Sequence, residues 1–371
     1  MEIQPMFMEC VAFLCAEHKG RAGGTAFFVE VEEGRKSWTY LVTALHNLHE
    51  VQGQEMFVRV NTHPGVSDLG FDDVLTRKDD WFKHDKADVA TILSPIDRSK
   101  FALQQIPLDL FIDKRCRLDV DILMGRGNPI LEPILKATYK EGIPVMVGHD
   151  VFSPGLFVQS AGENRNLPIV RFGNVSRMPS DEMIVLETPN SRREIRAYLV
   201  ETHSWGGFSG SPMFWHYEYN IATPILAVRL GEDWQKPKSP LILDERPKQP
   251  QPIPVVVSRG YVMGLLGLVS GHFDIPKKSV GEEIETGINA GIGVVTPAEN
   301  IRELLMSDEV VEDRNNRAAN ERMPVAMGDS VLTKRSGTQI LEGVRATIPI
   351  PTRGQFEKDL AKATRRKKKR D

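Results

Sequence analysis

One glycine-rich segment decides the expected fold, and it reads Trp205-Gly206-Gly207-Phe208-Ser209-Gly210-Ser211-Pro212-Met213-Phe214. Glycine tolerates backbone angles that other residues avoid, so the segment predicts a tight loop that presents Ser209 and leads into a strand. Such a loop can aim backbone N–H groups at a developing oxyanion, and the candidate donors are the N–H groups of Gly207 and Ser209. Because a serine hydroxyl is a weak nucleophile, the chain must also supply a base.

Two earlier segments supply the groups that this serine needs. His46 follows the apolar run 40–45, and Asp88 directly precedes the apolar run 89–93. An imidazole can take the serine proton, and a buried carboxylate can fix the tautomer of that imidazole. Asp85 is a competing carboxylate three residues earlier, but Asp88 is favoured because it lies at the mouth of the predicted strand.

These three segments resemble the signature blocks of chymotrypsin-like (trypsin-like) serine peptidases, in the form of the bacterial intracellular members. The matching blocks are Thr43-Ala44-Leu45-His46, Asp88-Val89-Ala90 and Gly207-Phe208-Ser209-Gly210-Ser211-Pro212. Their order, histidine then aspartate then serine, differs from the order in α/β-hydrolases and in subtilisins. The resemblance covers about residues 8 to 306, with further matches at 23–29, 262–270 and 288–297.

The resemblance implies roles for particular residues. It assigns His46, Asp88 and Ser209 to a catalytic triad and the amides of Gly207 and Ser209 to an oxyanion hole. The substrate pocket that it implies includes His203, Ser270 and Gly271. With a histidine at position 203, a preference for arginine or lysine substrates is not expected.

Two departures from the family pattern bear on activation. The chain has no Ile-Val-Gly-Gly start, and the residue before the predicted nucleophile is Phe208 instead of aspartate. The ammonium–carboxylate pair that activates the digestive members therefore cannot form. The sequence predicts a serine endopeptidase that hydrolyses polypeptides without N-terminal processing and with no cofactor or metal.

The pattern of apolar runs predicts an all-β fold. Many short runs bounded by glycine, proline, asparagine and aspartate have the composition of strands, and helical signals are few. One helix is expected after Thr296, which would act as its N-cap with Glu299 completing a capping box. We expect two packed antiparallel β-barrels, a C-terminal helix and a polar, basic appendage. The predicted divisions are an N-terminal barrel at 8–110, a connecting insertion at 111–140, a C-terminal barrel at 141–306, and an extended or partly ordered polar tail with a terminal basic helix at 307–371.

Composition limits the class of protein. With 41% hydrophobic and 26% charged residues among 371, the chain has the composition of a globular protein and not of a disordered one. Neither a signal peptide nor an apolar run long enough to span a bilayer is recognisable, so a cytoplasmic location is expected. The three cysteines, Cys10, Cys15 and Cys116, are interpreted as buried free thiols.

Four alternatives stay open at this point. The pairs His46 with His49 and His84 with Asp88 have spacings that a metal site could use, although the signature helix of metalloproteases is missing. A catalytically idle, protease-shaped binding module is the main rival function. The basic run 365–370 is interpreted as a flexible end, with nucleic acid or a partner protein as the alternative contact, and residues 307–371 could recruit the chain to a larger bacterial complex.

Overall fold

The computed structural model describes residues 3–119, 139–188, 191–202, 207–224, 255–275 and 288–322. Its helices are α1 Pro5–Glu9, α2 Leu45–Glu50, α3 Ala298–Leu305 and α4 Asp308–Arg322, with short 3-10 turns at Lys78–Asp80, Leu108–Leu110 and Val158–Ser160. The strands of the first half are β1 Val11–Cys15, β2 Ala22–Glu33, β3 Lys36–Thr43, β4 Glu55–Asn61, β5 Phe71–Arg77, β6 Phe82–Lys83, β7 Ala90–Leu93, β8 Ile106–Pro107 and β9 Arg117–Leu118. Those of the second half are β10 Ile143–Pro144, β11 Asp150–Gly155, β12 Ile169–Arg177, β13 Ile184–Thr188, β14 Ser191–Ile195, β15 Tyr198–Glu201, β16 Pro212–Pro224, β17 Val255–Ile275 and β18 Ile288–Pro297.

The first half of the chain forms one curled sheet of eight strands. Seven of them follow the order β5-β4-β1-β2-β3-β7-β6, and β8 adds to β2 in parallel. The sheet is a half-barrel instead of the expected closed barrel, because its edge strands β5 and β6 do not pair with each other. β6 has only two residues, both of them paired with β7. Alternate side chains of the long strands, among them Phe28, Leu41 and Val58, form one buried apolar cluster.

The second half forms a closed barrel of six antiparallel strands in the order β11-β12-β15-β18-β17-β16. Its interior holds Tyr198, Val200, Trp215, Leu266 and Val295, all almost completely buried. The β16–β17 pairing continues from Pro212↔Leu268 out to Pro224↔Val255, so these two strands make a long antiparallel ribbon. The expected all-β fold class is confirmed, with one closed barrel and one half-barrel.

A shared apolar core joins the two halves. Phe7 of α1 places its ring edge-on against Phe152 of β11 and Phe214 of β16, at centroid distances of 5.4 and 4.7 Å. The same core contains Phe27 and Val42 from the half-barrel and Ile301 from α3. Because contacts of this kind bury large aromatic surfaces, they stabilise a fixed arrangement of the two sheets.

The helix after β18 is present, but its predicted cap is wrong. Helix α3 has Pro297 as its N-cap residue and no side-chain cap. The Thr296 hydroxyl instead pairs with the Ser270 hydroxyl at 2.5 Å, because β18 continues through Pro297 and holds Thr296 opposite β17. Glu299 forms an ion pair with Arg302 at 3.5 Å.

The segment after residue 307, expected to be an extended or partly ordered tail, begins with the helix α4. α4 is fixed to the half-barrel by Arg314, which is fully buried. The Arg314 guanidinium donates hydrogen bonds to the Leu305 carbonyl at 2.7 Å and to the Glu33 carboxylate at 2.6 Å, and it lies over the Tyr40 ring. The basic run 365–370 and the predicted terminal helix lie outside the described residues. Among the described residues, no helix has the length and apolar composition that a bilayer crossing requires.

Candidate active site

The pairing of β3 with β7 brings His46 and Asp88 together. Thr43, the last residue of β3, pairs with Ala90, the first residue of β7. His46 follows that pair by three residues in the first turn of α2, and Asp88 precedes it by two. Both oxygens of Asp88 bond to His46, since Oδ2 is 2.7 Å from Nδ1 and Oδ1 accepts the His46 backbone N–H at 3.0 Å.

This geometry fixes the proton on the imidazole. An ionised carboxylate only accepts hydrogen bonds, so the proton between the two groups belongs to Nδ1. Nε2 then carries a lone pair and can act as a base. Asp88 is 4% exposed, whereas Asp85 is exposed to solvent. The structure therefore pairs His46 with the carboxylate that the sequence favoured.

The loop that carries Ser209 is held on one side by β17. The Gly210 N–H donates to the Val269 carbonyl at 2.8 Å, and the Val269 N–H donates to the Ser211 carbonyl at 2.9 Å. Gly207 and Gly210 have φ angles of +94° and +85°. These left-handed angles favour glycine, which explains the glycine on each side of Phe208-Ser209.

On its other side the loop is held by the half-barrel. The Ser209 carbonyl accepts two hydrogen bonds, from the Thr25 N–H at 3.0 Å and from Asn47 Nδ2 at 2.9 Å. The Thr25 hydroxyl donates to the Gly207 carbonyl at 2.7 Å. Asn47 directly follows His46 and also donates to Thr43 Oγ1 at 2.9 Å. We call Thr25, Thr43 and Asn47 the anchor residues, because they join the segment that carries His46 to the loop that carries Ser209.

Gly210 permits this close approach. A Cβ atom at position 210 would lie 2.1 Å from the Thr25 carbonyl oxygen and 2.4 Å from Thr43 Oγ1, far inside contact distance. Sequence reasoning did not identify the anchor residues. The only signal was the resemblance of residues 23–29 to a family strand, which says nothing about contacts between the two halves.

The Ser209 hydroxyl and the two candidate oxyanion-hole amides have no hydrogen-bond partner among the described residues. Within the described part of the chain, the Ser209 hydroxyl forms no hydrogen bond, with His46 or with any other residue. The backbone N–H groups of Gly207 and Ser209 likewise find no acceptor there, although their neighbours Gly210 and Ser211 do. Two unoccupied donors next to a candidate nucleophile are what an oxyanion hole requires.

The three residues predicted to line a substrate pocket lie in different environments. His203 lies outside the described residues. Ser270 is 3% exposed, and its hydroxyl is committed to Thr296, so it does not line an open surface. Gly271 pairs with Val294 in the ladder between β17 and β18 and is half-buried.

Two of the three histidines considered for a metal site, His46 and His84, have protein partners. His84 Nδ1 accepts the N–H groups of Lys86 and Ala87 at 3.1 and 3.0 Å, and its Nε2 is 3.3 Å from Glu303. His46 Nδ1 is engaged with Asp88. The described residues contain no group of three or more histidine, cysteine, aspartate or glutamate side chains that could hold a metal ion together.

The fold and the site define a class of protein. The chain is an all-β protein with a closed six-stranded barrel and a curled half-barrel, an arrangement compatible with the chymotrypsin-like fold. No protein-family model matches the chain, and no curated protein matches its sequence.

Proposed function

We propose that this protein is a serine endopeptidase of the chymotrypsin-like class. The observation that supports it most strongly is the connection between the two halves. A histidine bonded to a buried aspartate is followed by Asn47, which bonds to the backbone of the candidate nucleophile. A base and a nucleophile on adjoining segments, with two unoccupied amides beside them, provide the groups that acyl transfer needs.

The proposed reaction has two balanced steps. Ser209 Oγ attacks the peptide carbonyl carbon while its proton passes to His46 Nε2, and the Gly207 and Ser209 amides stabilise the oxyanion. The C–N bond then breaks, His46 returns the proton to the leaving amine, and an acyl-enzyme remains. Water attacks the ester with His46 again as the base, which releases a carboxylic acid and restores the serine hydroxyl. Asp88 orients His46 and stabilises the imidazolium.

The position of Phe208 supports activity without N-terminal processing. Its side chain is 2% exposed, inside the second barrel, so apolar burial holds this part of the loop. The Thr25 and Val269 bonds hold the flanking residues. These contacts hold the loop without an ion pair to an N-terminal ammonium group.

The test is covalent labelling of the full-length chain with a fluorophosphonate, followed by mapping of the modified residue. We expect Ser209 to be labelled, and Ser209→Ala to abolish this labelling and to lower peptide hydrolysis by about three to six orders of magnitude. Ser99→Ala, which changes an exposed serine outside the candidate site, is the control and should be labelled at the parent rate. Hydrolysis of peptide by Ser209→Ala at the parent rate would end the proposal.

One observation favours the rival function, a catalytically idle binding module. The described structure has no hydrogen bond between the Ser209 hydroxyl and His46. In unliganded enzymes such a bond is often long and tightens only when substrate is present, so the observation carries little weight against catalysis. The labelling experiment separates the two functions, because an idle module would bind peptides without forming the covalent adduct.

A further inference from the structure

The loop that carries Asp88 is built around the side chain of His84. It joins β6 to β7 and comprises residues 84–89, which we call the Asp88 loop. Asp88 is the central residue of a tight turn, because the Val89 N–H donates to the Ala87 carbonyl at 2.9 Å. The backbone on each side of Asp88 therefore sets the direction in which its carboxylate points.

His84 bonds to both sequence neighbours of Asp88. Its Nδ1 accepts the Ala87 N–H at 3.0 Å, and its backbone N–H donates to the Val89 carbonyl at 3.0 Å. Nδ1 also accepts the Lys86 N–H at 3.1 Å. Bonds of this kind, to the residues two and three positions later, are those that an asparagine or aspartate side chain makes in a turn. One histidine thus holds the backbone before and after Asp88.

The tautomer of His84 follows from these bonds. Because Nδ1 accepts, the neutral ring carries its proton on Nε2. Nε2 lies 3.3 Å from a carboxylate oxygen of Glu303 on α3, so this proton has an anionic acceptor. The His84 side chain is only 13% exposed. The ring is therefore held at both nitrogens, by the Asp88 loop at Nδ1 and by α3 at Nε2.

The direction of the Asp88 carboxylate matters for the candidate base. Both of its oxygens bond to His46, one to Nδ1 at 2.7 Å and one to the backbone N–H at 3.0 Å. A rotation of the Asp88 backbone would lengthen at least one of these bonds and let the imidazole tilt. The lone pair on His46 Nε2 would then point away from the proton that it must take, and a misplacement of about 1 Å can cost on the order of a hundredfold in rate.

We propose that His84 is a positioning residue, which holds the Asp88 loop so that the Asp88 carboxylate meets His46, and that Glu303 orients the His84 ring. This inference rests on the proposed peptidase function and extends its network of side chains to α3. The other explanation of the same contacts is a histidine that stabilises the hairpin between β6 and β7 and leaves the geometry at His46 unchanged.

The experiment compares three variants of the full-length chain at position 84. His84→Asn places an amide oxygen where Nδ1 accepts, so it keeps the acceptor for the Asp88 loop and loses the contact with Glu303. His84→Gln places its amide where Nε2 lies, so it keeps the contact with Glu303 and removes the acceptor from the loop. His84→Ala removes both.

The first readout is the rate at which a fluorophosphonate labels Ser209. We expect labelling on the order of tenfold to a hundredfold slower in His84→Ala and His84→Gln, and close to the parent rate in His84→Asn. With a peptide substrate, the loss should lie in kcat and not in KM, because the Asp88 loop positions the base.

The second readout reports on Asp88 without any reaction at Ser209. The proton between His46 Nδ1 and the carboxylate is part of a short bond to an ionised acceptor, and the Asp88 side chain is 2% exposed. Proton NMR should therefore show it far downfield, and its loss in Asp88→Ala assigns it. The signal should shift or broaden in His84→Ala and His84→Gln and keep its position in His84→Asn.

The matched control is Asp113→Ala. The Asp113 carboxylate also accepts two backbone N–H groups of its own loop, those of Arg115 and Arg117, both at 2.9 Å, and it lies outside the candidate site. Asp113→Ala should lower the urea midpoint to a similar extent as His84→Ala. It should keep the parent labelling rate and the parent proton signal.

The outcomes separate this inference from the proposed function. Parent labelling and an unmoved proton signal in His84→Gln would overturn the inference, as would equal slowing by His84→Asn and His84→Gln or by Asp113→Ala. The comparison of His84→Asn with His84→Gln decides the question even if His84→Ala does not fold. A parent chain that the fluorophosphonate does not label refutes the peptidase function, and the proton signal then decides alone whether His84 positions Asp88.

Discussion

Replacement of Asn47 by alanine tests the connection between the two halves. The substitution removes the bonds from Nδ2 to the Ser209 carbonyl and to the Thr43 hydroxyl, both 2.9 Å long. A hydrogen bond of this kind contributes roughly 0.5 to 1.5 kcal/mol, so the free energy of unfolding should fall by about 1 to 3 kcal/mol. The Ser209 carbonyl keeps its bond from the Thr25 N–H, which limits the movement of the loop.

A small displacement of the loop should matter more for the reaction than for stability. A shift of about 1 Å between reacting groups can cost on the order of a hundredfold in rate. We therefore expect Asn47→Ala to be labelled by a fluorophosphonate about a hundredfold more slowly, with most of the loss in kcat and little in KM for a peptide substrate. Urea unfolding measured alongside gives the change in stability.

The matched control is Asn61→Ala. Asn61 also makes two amide hydrogen bonds, both with the backbone of Asn166, at 3.2 and 2.7 Å, and it has no contact with the loop. The Asn61→Ala variant should lose a similar amount of free energy of unfolding, and the fluorophosphonate should label it at the parent rate. The reasoning would be refuted if Asn47→Ala kept the parent labelling rate, or if both variants slowed labelling equally.

Three further predictions concern the loop, the thiols and the partly buried His149. Gly210→Ala should unfold at lower urea and label far more slowly, because its Cβ would overlap the Thr25 carbonyl oxygen and the φ angle is positive; parent behaviour in both assays would contradict the packing described. Burial raises the pKa of the Cys15 thiol to about 11, so a disulfide reagent at neutral pH should modify only the half-buried Cys116 in the folded chain and all cysteines in denaturant. His149 accepts the Trp215 indole N–H at 2.9 Å, and burial lowers the pKa of His149, so the folded state favours the neutral ring. The stability from this group is complete above about pH 6.5 and declines as pH falls through the lowered pKa, so urea unfolding should show a smaller acid loss in His149→Gln than in the parent.

The sequence predicted the positions of the candidate reacting groups better than the strands around them. His46, Asp88 and Ser209 each lie beside an apolar run with a clear strand signal, so their place at strand ends followed directly. β11 gave no such signal, because it contains Pro154 and begins with Asp150. It still forms a strand, because its pairing with β16 covers only residues 150–152. Pro154 lies beyond that pairing, so its missing N–H group removes no hydrogen bond to β16.

Some expectations based on local sequence differ from the structure. A capping box was expected at Thr296 because local spacing allowed it, but the strand ladder to β17 offered Thr296 another partner. The first sheet does not close into a barrel, and its edge strand β6 has only two residues. The spacing of turn residues in the sequence predicts where strands begin and end, but not which strands pair. All three cysteines were expected to be buried, and Cys116 is only partly so. For Thr296, a contact between residues distant in sequence decided the outcome.

The arrangement of the site depends on contacts that are individually weak. All three cysteines are free, so no disulfide ties the half-barrel that carries His46 to the barrel that carries Ser209. Their relative position rests on the shared apolar core around Phe7 and on the few hydrogen bonds of the anchor residues. Apolar packing is strong but tolerates small shifts, whereas a hydrogen bond fixes distance and direction within a few tenths of an ångström. The core therefore holds the two halves together, and the hydrogen bonds of Thr25 and Asn47 to the Ser209 carbonyl fix the position of the loop relative to the segment that carries His46.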